Sequence, residues 1–323
     1  MRDVLGWRRK FGVLGPSTNT IVQPDFEMMR PAGVTNHYSR IFTPNAQAVS
    51  NDTFMAGTQV IGENTLDAVR SVMTCAPDYL VMGMSAVTFY GGAKGADAFQ
   101  ARVEKTAGVN ISIGSHSCTA ALKAYGGVKR IAILSPYYPV ANEQVARYFT
   151  DSGFEVVRDI YLQCKSWTAI AEVPPALLRE KLIELNGNGR DVDAIVQVGT
   201  NLSMVRLAAA AEMWLDKPVI AINTATYWHA LRKNRIVDKI PGLGRLLENF
   251  LKLSFKFNPI FASRYVAVLW TTLTYTVPLP LPFPQSNESR VALCSWPQCF
   301  TGEPRAFNQR LELLPDDRRM HLI

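Results

Sequence analysis

The stretch YLVMGMSAVTFYGG, residues 79–92, begins with an apolar run typical of a buried strand and turns sharply at Gly83, Met84 and Ser85. A strand end needs a turn, but it does not need a small residue followed by a hydroxyl. In open parallel sheets, ligands bind beyond the carboxyl ends of the strands. The stretch therefore predicts a strand whose carboxyl end faces a ligand.

The same pattern recurs along the chain. Residues 10–18 (KFGVLGPST) and 129–139 (KRIAILSPYYP) are both basic, then apolar, and end in a turn with proline. Residues 78–85 (DYLVMGMS) resemble residues 193–201 (DAIVQVGTN), at nearly the same separation. Amphipathic segments lie between the apolar runs, which is typical of parallel sheets covered on both faces. We predict an α/β fold of two similar domains, each with a mostly parallel sheet flanked by helices, related by a pseudo-twofold axis.

The predicted domain boundaries follow from this repeat. Residues 1–118 with 224–249 form the first α/β half, and residues 119–223 form the second. Residues 250–323 have no sustained period and many prolines, and we expect this atypical tail to be poorly ordered. Its apolar run is interrupted by Arg264 and by prolines, so it is a poor membrane span.

Four polar turns follow four predicted strands, and we expect them to converge on one cleft. We call them the first, second, third and fourth tips; they are Gly15–Asn19, Gly83–Ser85, Pro136–Tyr138 and Gly199–Asn201. Each is also an ordinary turn sequence. The prediction of a ligand site therefore depends on the set of four, in repeat order.

The composition limits the class of protein. Of 323 residues, 48% are hydrophobic and 19% charged, which is typical of a globular chain. The net charge of +7 is dispersed, so we expect no nucleic-acid partner. The five cysteines include no CxxC pair, and no P-loop or GxGxxG motif follows a strand, so metal and nucleotide sites are not supported. The amino terminus lacks a signal-peptide pattern, and we expect a cytoplasmic protein with no membrane partner.

Four motifs together resemble a known superfamily. GPSTN, MGMSAVTFYGG, SPYYPVANEQ and VQVGTNLSM, followed by KPVIAINTATYWHALR, are similar to the aspartate/glutamate racemase superfamily, and most similar to its maleate cis-trans isomerase and arylmalonate decarboxylase branch. The resemblance covers residues 8–248. It implies two domains that close over a small carboxylate without metal or organic cofactor, and a homodimer.

The resemblance also implies two catalytic positions that are changed here. Family members usually carry a cysteine at the second tip and another at the fourth, where a thiolate moves a proton or adds to a double bond. These positions align with Gly83 and Gly199. Both thiols are absent, which argues against racemisation and against thiol addition. Gly83 matches the decarboxylase branch, in which this position is also glycine.

The carboxylate-binding positions are better preserved. Ser85 and Tyr137 match the donors that stabilise an enediolate in decarboxylating members, while Met84 replaces a hydroxyl residue there. Further candidates for substrate binding come from the first, second and fourth tips. The predicted substrate-binding residues are Ser17, Thr18, Asn19, Gly83, Met84, Gly199 and Asn201.

Without thiols, an enzyme of this kind needs another group to move protons. His116 follows a predicted strand, and its ordinary pKa of about 6.5 suits the task, although a structural role in a loop or cap is the alternative. Tyr137 is a donor and a reluctant acid, because phenols have a pKa of about 10. The predicted catalytic residues are Ser85, Tyr137, His116 and Thr200.

We expect a cofactor-free enzyme that acts on a malonate- or maleate-like dicarboxylate through an enediolate, with decarboxylation as the leading reaction. One alternative is a maleate-like cis-trans isomerase or an Asp/Glu-type racemase. Another is a hydratase or hydrolase without a thiol, and a third is a non-catalytic carboxylate-binding protein. Hydrogen-bond contact of His116 with Ser85 or Tyr137 would favour catalysis. A cleft lined only by neutral donors would favour binding.

Overall fold

The structure is a computed structural model, and it describes residues 3–45 and 49–253. The strands in these residues are β1 (Arg9–Pro16), β2 (Val34–Ile41), β3 (Tyr79–Met82), β4 (Ile111–Ser112), β5 (Arg130–Ser135), β6 (Glu155–Tyr161), β7 (Ala194–Gln197) and β8 (Val219–Ala221). The helices are α1 (Val22–Met28), α2 (Asn51–Met73), α3 (Ala86–Phe89), α4 (Gly92–Ala107), α5 (Gly114–Tyr125), α6 (Pro139–Asp151), α7 (Pro175–Asn186), α8 (Val205–Leu215), α9 (Ile222–Lys233) and α10 (Arg245–Asn249), with a 3₁₀ turn at Ala169–Glu172.

The strands form two sheets of four with the same order. One sheet runs β2-β1-β3-β4 and the other runs β6-β5-β7-β8. All neighbouring strands are parallel. β1 and β5 hold equivalent places, as do β3 and β7, in agreement with the repeat in the sequence. The predicted α/β class with two similar parallel sheets is confirmed.

The central strands are buried because helices cover both faces of each sheet. Every residue of β3 and of β7 is buried. Helix α2 shows how the cover is built, since its buried side chains recur at helical spacing. It begins at Asn51, because Ser50 accepts a hydrogen bond from the Thr53 N–H and forms a capping box with that residue.

Strand β2 was not among the predicted strands. The segment Val34–Ile41 (VTNHYSRI) carries polar side chains that gave no apolar signal. All eight of its residues pair with β1, so it is the edge strand of the first sheet. Pairing with a partner strand, rather than local propensity, decides this element.

Helix α9 connects the two halves. It follows β8 of the second sheet but packs against α5, β3 and β4 of the first. The residue boundaries predicted for the two halves stay a prediction. The prediction for the tail falls on residues that, from 254 onward, lie outside the described part of the chain. Among the helices described, none combines the length and the apolar character that crossing a membrane requires.

Candidate functional site

The four tips meet at a small cavity of about 30 Å³, which is room for roughly two water molecules. They meet because the carboxyl ends of β1, β3, β5 and β7 face one another. Residues from all four tips line the cavity, and apolar side chains form one wall of it. The lining residues are Pro16, Thr18, Asn19, Met84, Ser85, Tyr137, Gly199, Thr200 and Asn201, with Ile61, Trp167 and Ile170 in the wall.

Ser85 and Tyr137 form a buried hydroxyl pair at this cavity. The Ser85 Oγ and the Tyr137 Oη are hydrogen-bonded, and the Ser85 Oγ also accepts the backbone N–H of Thr200 at 3.2 Å. Burial raises the pKa of Tyr137 well above its usual value, so the phenol stays protonated. The two hydroxyls carry two protons, and the hydrogen bond between them uses one. The other O–H is therefore able to donate into the cavity.

Thr200, Asn19 and Asn201 hold the tips together. The Thr200 Oγ1 donates to the Gly83 carbonyl at 3.0 Å and accepts from the Asn19 Nδ2 at 3.2 Å. The Asn201 Oδ1 accepts the Thr20 N–H at 3.0 Å, and its Nδ2 donates to the Trp167 carbonyl at 2.8 Å. These contacts occupy the Thr200 hydroxyl proton, so this hydroxyl orients the tips rather than activating a water.

Of the remaining residues predicted to bind substrate, some line the cavity and others do not. Thr18 and Met84 line the cavity, Met84 as part of its apolar surface. Ser17 does not, because its hydroxyl bonds the backbone of Thr43, at 2.9 Å to the N–H and 3.2 Å to the carbonyl. A Cβ at Gly83 would lie 2.7 Å from the Val22 Cγ1, so position 83 faces α1.

Gly199 lines the cavity in a conformation that excludes a side chain. Its φ is +105°, in the range that favours glycine. A Cβ built on this backbone would lie 2.6 Å from the Cγ of Pro136 and still closer to its Cδ. The Pro136 ring therefore stands where a side chain at position 199 would begin.

His116 lies away from the cavity, which corrects the placement expected from the sequence. It is in the first turn of α5, and its Nδ1 is 2.6 Å from the Gln100 Oε1. Its Nε2 is 3.2 Å from the Asp97 Oδ1, so both ring nitrogens contact α4. Burial lowers the pKa of His116 despite the neighbouring carboxylate. A catalytic role for His116 remains a prediction from the sequence, without support from these distances.

We expect His116→Gln to leave turnover within about 2-fold, because both ring nitrogens of His116 contact α4 instead of the cavity. Loss of a true acid–base group would cost about 10²- to 10⁴-fold. Steady-state kinetics of the purified variant on the accepted substrate will check this. A loss of 100-fold or more at unchanged stability would return His116 to the mechanism.

The residues of the apolar wall were not among those predicted from the sequence. Ile61 lies about halfway along α2, in a region for which no helix was predicted from the sequence. Trp167 and Ile170 lie in and beside the 3₁₀ turn after β6, where no strand or helix period is visible. Phe54 and Ile61 lie seven residues apart and continue the helical spacing of the buried residues of α2, so this spacing could have predicted the longer helix. Within the described residues, no three His, Cys, Asp or Glu side chains are grouped so that they could hold a metal ion.

Comparison with known proteins gives one family match and several relatives. The family model described as arylmalonate decarboxylase matches residues 24–247. A maleate isomerase of Pseudomonas putida is 25% identical over 247 residues, covering 74% of this chain and 96% of the relative. A maleate isomerase of Geobacillus stearothermophilus is 30% identical over 123 residues, covering 38% of this chain and 48% of the relative.

Two solved structures are similar in fold. One is a cysteine-to-serine mutant of the Nocardia farcinica maleate cis-trans isomerase with a covalently bound succinylcysteine intermediate, with a TM-score of 0.67 at 22% identity. The other is arylmalonate decarboxylase, with a TM-score of 0.60 at 20% identity. Each covers 74% of this chain and 98% of its own. At these identities the likeness shows a shared fold.

Proposed function

Because the chain belongs to the arylmalonate decarboxylase family, as its motifs predicted, we propose that it is a cofactor-independent enzyme that decarboxylates a malonate-like acid. The observation that carries this proposal is the Ser85–Tyr137 hydroxyl pair at a cavity without a thiol, oriented by the Thr200 N–H. Such donors stabilise negative charge as it develops on a carboxylate oxygen.

Decarboxylation fits this site because it needs no base to begin. When the bond between the α-carbon and a carboxylate breaks, CO₂ leaves and its bonding electrons pass to the α-carbon and the remaining carboxylate as an enediolate. The free O–H of the hydroxyl pair donates a hydrogen bond to an oxygen of the remaining carboxylate, where negative charge develops. A proton from water or from the Tyr137 hydroxyl then reaches the α-carbon, and solvent replaces it. The high pKa of Tyr137 keeps this donor protonated at neutral pH.

Among the described residues, no cysteine lines this cavity to supply the thiolate that some reactions of the family need. Of the cysteines in the described residues, Cys75 is exposed, Cys118 is buried and Cys164 is half-buried, and the cavity lining contains none of them. Burial also raises the pKa of Cys118, which makes its thiolate scarce. Racemisation by two thiols and isomerisation by thiol addition are therefore the less supported reactions.

The two ends of the cavity favour a malonate with an apolar substituent. Its polar end offers the hydroxyl pair to a carboxylate, and its wall offers Ile61, Trp167, Ile170 and Met84 to an alkyl or aryl group. Maleate has no alkyl or aryl group to contact this wall.

A non-catalytic carboxylate-binding protein is the second candidate, favoured by the position of His116. Because the His116 ring contacts α4 instead of the cavity, the polar groups at the cavity are neutral hydroxyls, amides and N–H groups. Such a lining can hold an anion without transforming it.

A proton NMR time course of the full chain in heavy water separates these two candidates. The substrates are alkylmalonates, arylmalonates, maleate and hydroxy-dicarboxylates. We expect one malonate class to lose a carboxyl group and to gain deuterium at its α-carbon. Line broadening without turnover would instead favour the binding protein, and conversion of maleate to fumarate would favour the isomerase.

A cytoplasmic location and a homodimer also remain proposals, and they rest on the sequence and on the family resemblance. Light scattering during size-exclusion chromatography tests the dimer. A mass close to that of one 35.9 kDa chain would contradict it.

A further inference from the structure

A buried carboxyl outside the cavity is connected to the fourth tip. Asp25 on α1 is 7% exposed and accepts a hydrogen bond from the Asn223 Nδ2 at 2.8 Å. The same nitrogen donates to the Thr200 carbonyl at 2.9 Å. The Thr200 N–H in turn donates to the Ser85 Oγ. A continuous series of hydrogen-bonded residues thus runs from Asp25 through Asn223 and Thr200 to the hydroxyl pair.

The orientation of the Asn223 amide depends on its partner at position 25. Both N–H groups of the Nδ2 are engaged, while the Asn223 Oδ1 is buried without a partner among the described residues. If the amide turned over, its oxygen would face the Thr200 carbonyl oxygen, and two acceptors repel each other. An acceptor at position 25 therefore selects the orientation that supports the Thr200 turn.

We propose that the Asp25 carboxylate is a positioning residue, which orients the Asn223 amide and through it the Thr200 turn at the cavity. Asp25 does not itself line the cavity. The effect on turnover rests on the proposed function. The effect on Asn223 and Thr200 does not, and it can be measured without a substrate.

The surroundings of Asp25 make this arrangement sensitive to pH. Burial raises the pKa of Asp25 to about 6, although the Asn223 hydrogen bond and the charge of Arg206 on α8 oppose the shift. Tyr38 on β2 is a second titratable group that interacts with Asp25, and burial raises the pKa of Tyr38 so far that it stays neutral. Above a pH of about 6 the carboxylate holds the amide with a charge-assisted bond. Below that pH the protonated acid holds it less strongly.

Two substitutions separate the acceptor from the charge. Asp25→Asn keeps an oxygen that accepts from Asn223 but removes the titration. Asp25→Leu removes the acceptor. Asp67→Asn is the matched control, because Asp67 is an exposed carboxylate on α2.

The direct test is the pH titration of NMR signals in the ¹⁵N-labelled full chain. In the native chain, we expect the Asn223 side-chain amide and the Thr200 backbone amide to shift together with a midpoint of about pH 6. The shift should persist in Asp67→Asn and vanish in Asp25→Asn. An unchanged Thr200 titration in Asp25→Asn would overturn the proposal, even if Asp25→Leu fails to fold.

Turnover gives a second readout. We expect Asp25→Leu to lower kcat by about 10-fold while KM changes less, since Asp25 does not line the cavity. Asp25→Asn should keep near-native kcat at pH 7.5 and lose the decline below about pH 6. If the amides titrate as expected but no substrate turns over, the proposed function fails and the positioning role stands.

Discussion

Ser85→Ala is expected to lower turnover by about 10²- to 10³-fold, the usual cost of removing one donor from an oxyanion site. The physical reason is that the Ser85 Oγ links the Tyr137 phenol to the Thr200 N–H. Without it, the phenol loses its orientation and the enediolate loses a donor. The measurement is kcat on the malonate that the NMR time course identifies, with the free energy of unfolding measured in parallel.

The matched control is Ser71→Ala, which removes a hydroxyl from an exposed position on α2. Tyr137→Phe completes a double-mutant cycle with Ser85→Ala. Because the two hydroxyls act as one pair, the double variant should lose much less than the product of the single losses. Full additivity, or turnover of Ser85→Ala within about 3-fold of the native chain, would remove the pair from the mechanism.

Gly199→Cys is expected to destabilise the fold by about 2–5 kcal/mol rather than to restore a thiol enzyme. A side chain in the left-handed region costs about 1–2 kcal/mol. Overpacking against the Pro136 ring adds about 1–3 kcal/mol, because the added Cβ would lie 2.6 Å from its Cγ. Urea unfolding followed by circular dichroism gives the change directly.

Gly153→Cys is the matched control for this experiment. Gly153 has a φ of +90°, and a Cβ there would have no atom within 4 Å. The control therefore carries the backbone cost, about 1–2 kcal/mol, without the collision. If Gly199→Cys proves no less stable than Gly153→Cys, the Pro136 ring does not exclude a side chain at the fourth tip.

The strands that are buried on both faces were predictable, and so was the polar character of their ends. The apolar runs at residues 78–85 and 193–201 predict central strands, and a turn must follow each strand. Ser85 and Tyr137 come directly after such strands, so the chain direction places them at the same edge of the fold. The edge strand β2 gave no such signal, because pairing rather than apolar character forms it.

His116 and Ser17 show why proximity in sequence to a strand end is not enough. His116 lies in the first turn of α5, and the direction of a helical side chain decides whether it faces the cavity or α4. Ser17 lies within the first tip, but its hydroxyl meets the backbone of Thr43 from the segment after β2. Both outcomes depend on contacts between segments far apart in the chain, which spacing along the sequence does not encode.

The return of α9 to the first sheet has a consequence for how the chain is made. Helix α9 covers β3 and β4, and its His229 Nδ1 lies 2.9 Å from the Ser112 Oγ on β4. A ribosome releases residues 222–233 only after the whole second sheet has emerged. The half that is synthesised first therefore stays incomplete during translation, with an apolar surface open, until the half that is synthesised second is ready to fold.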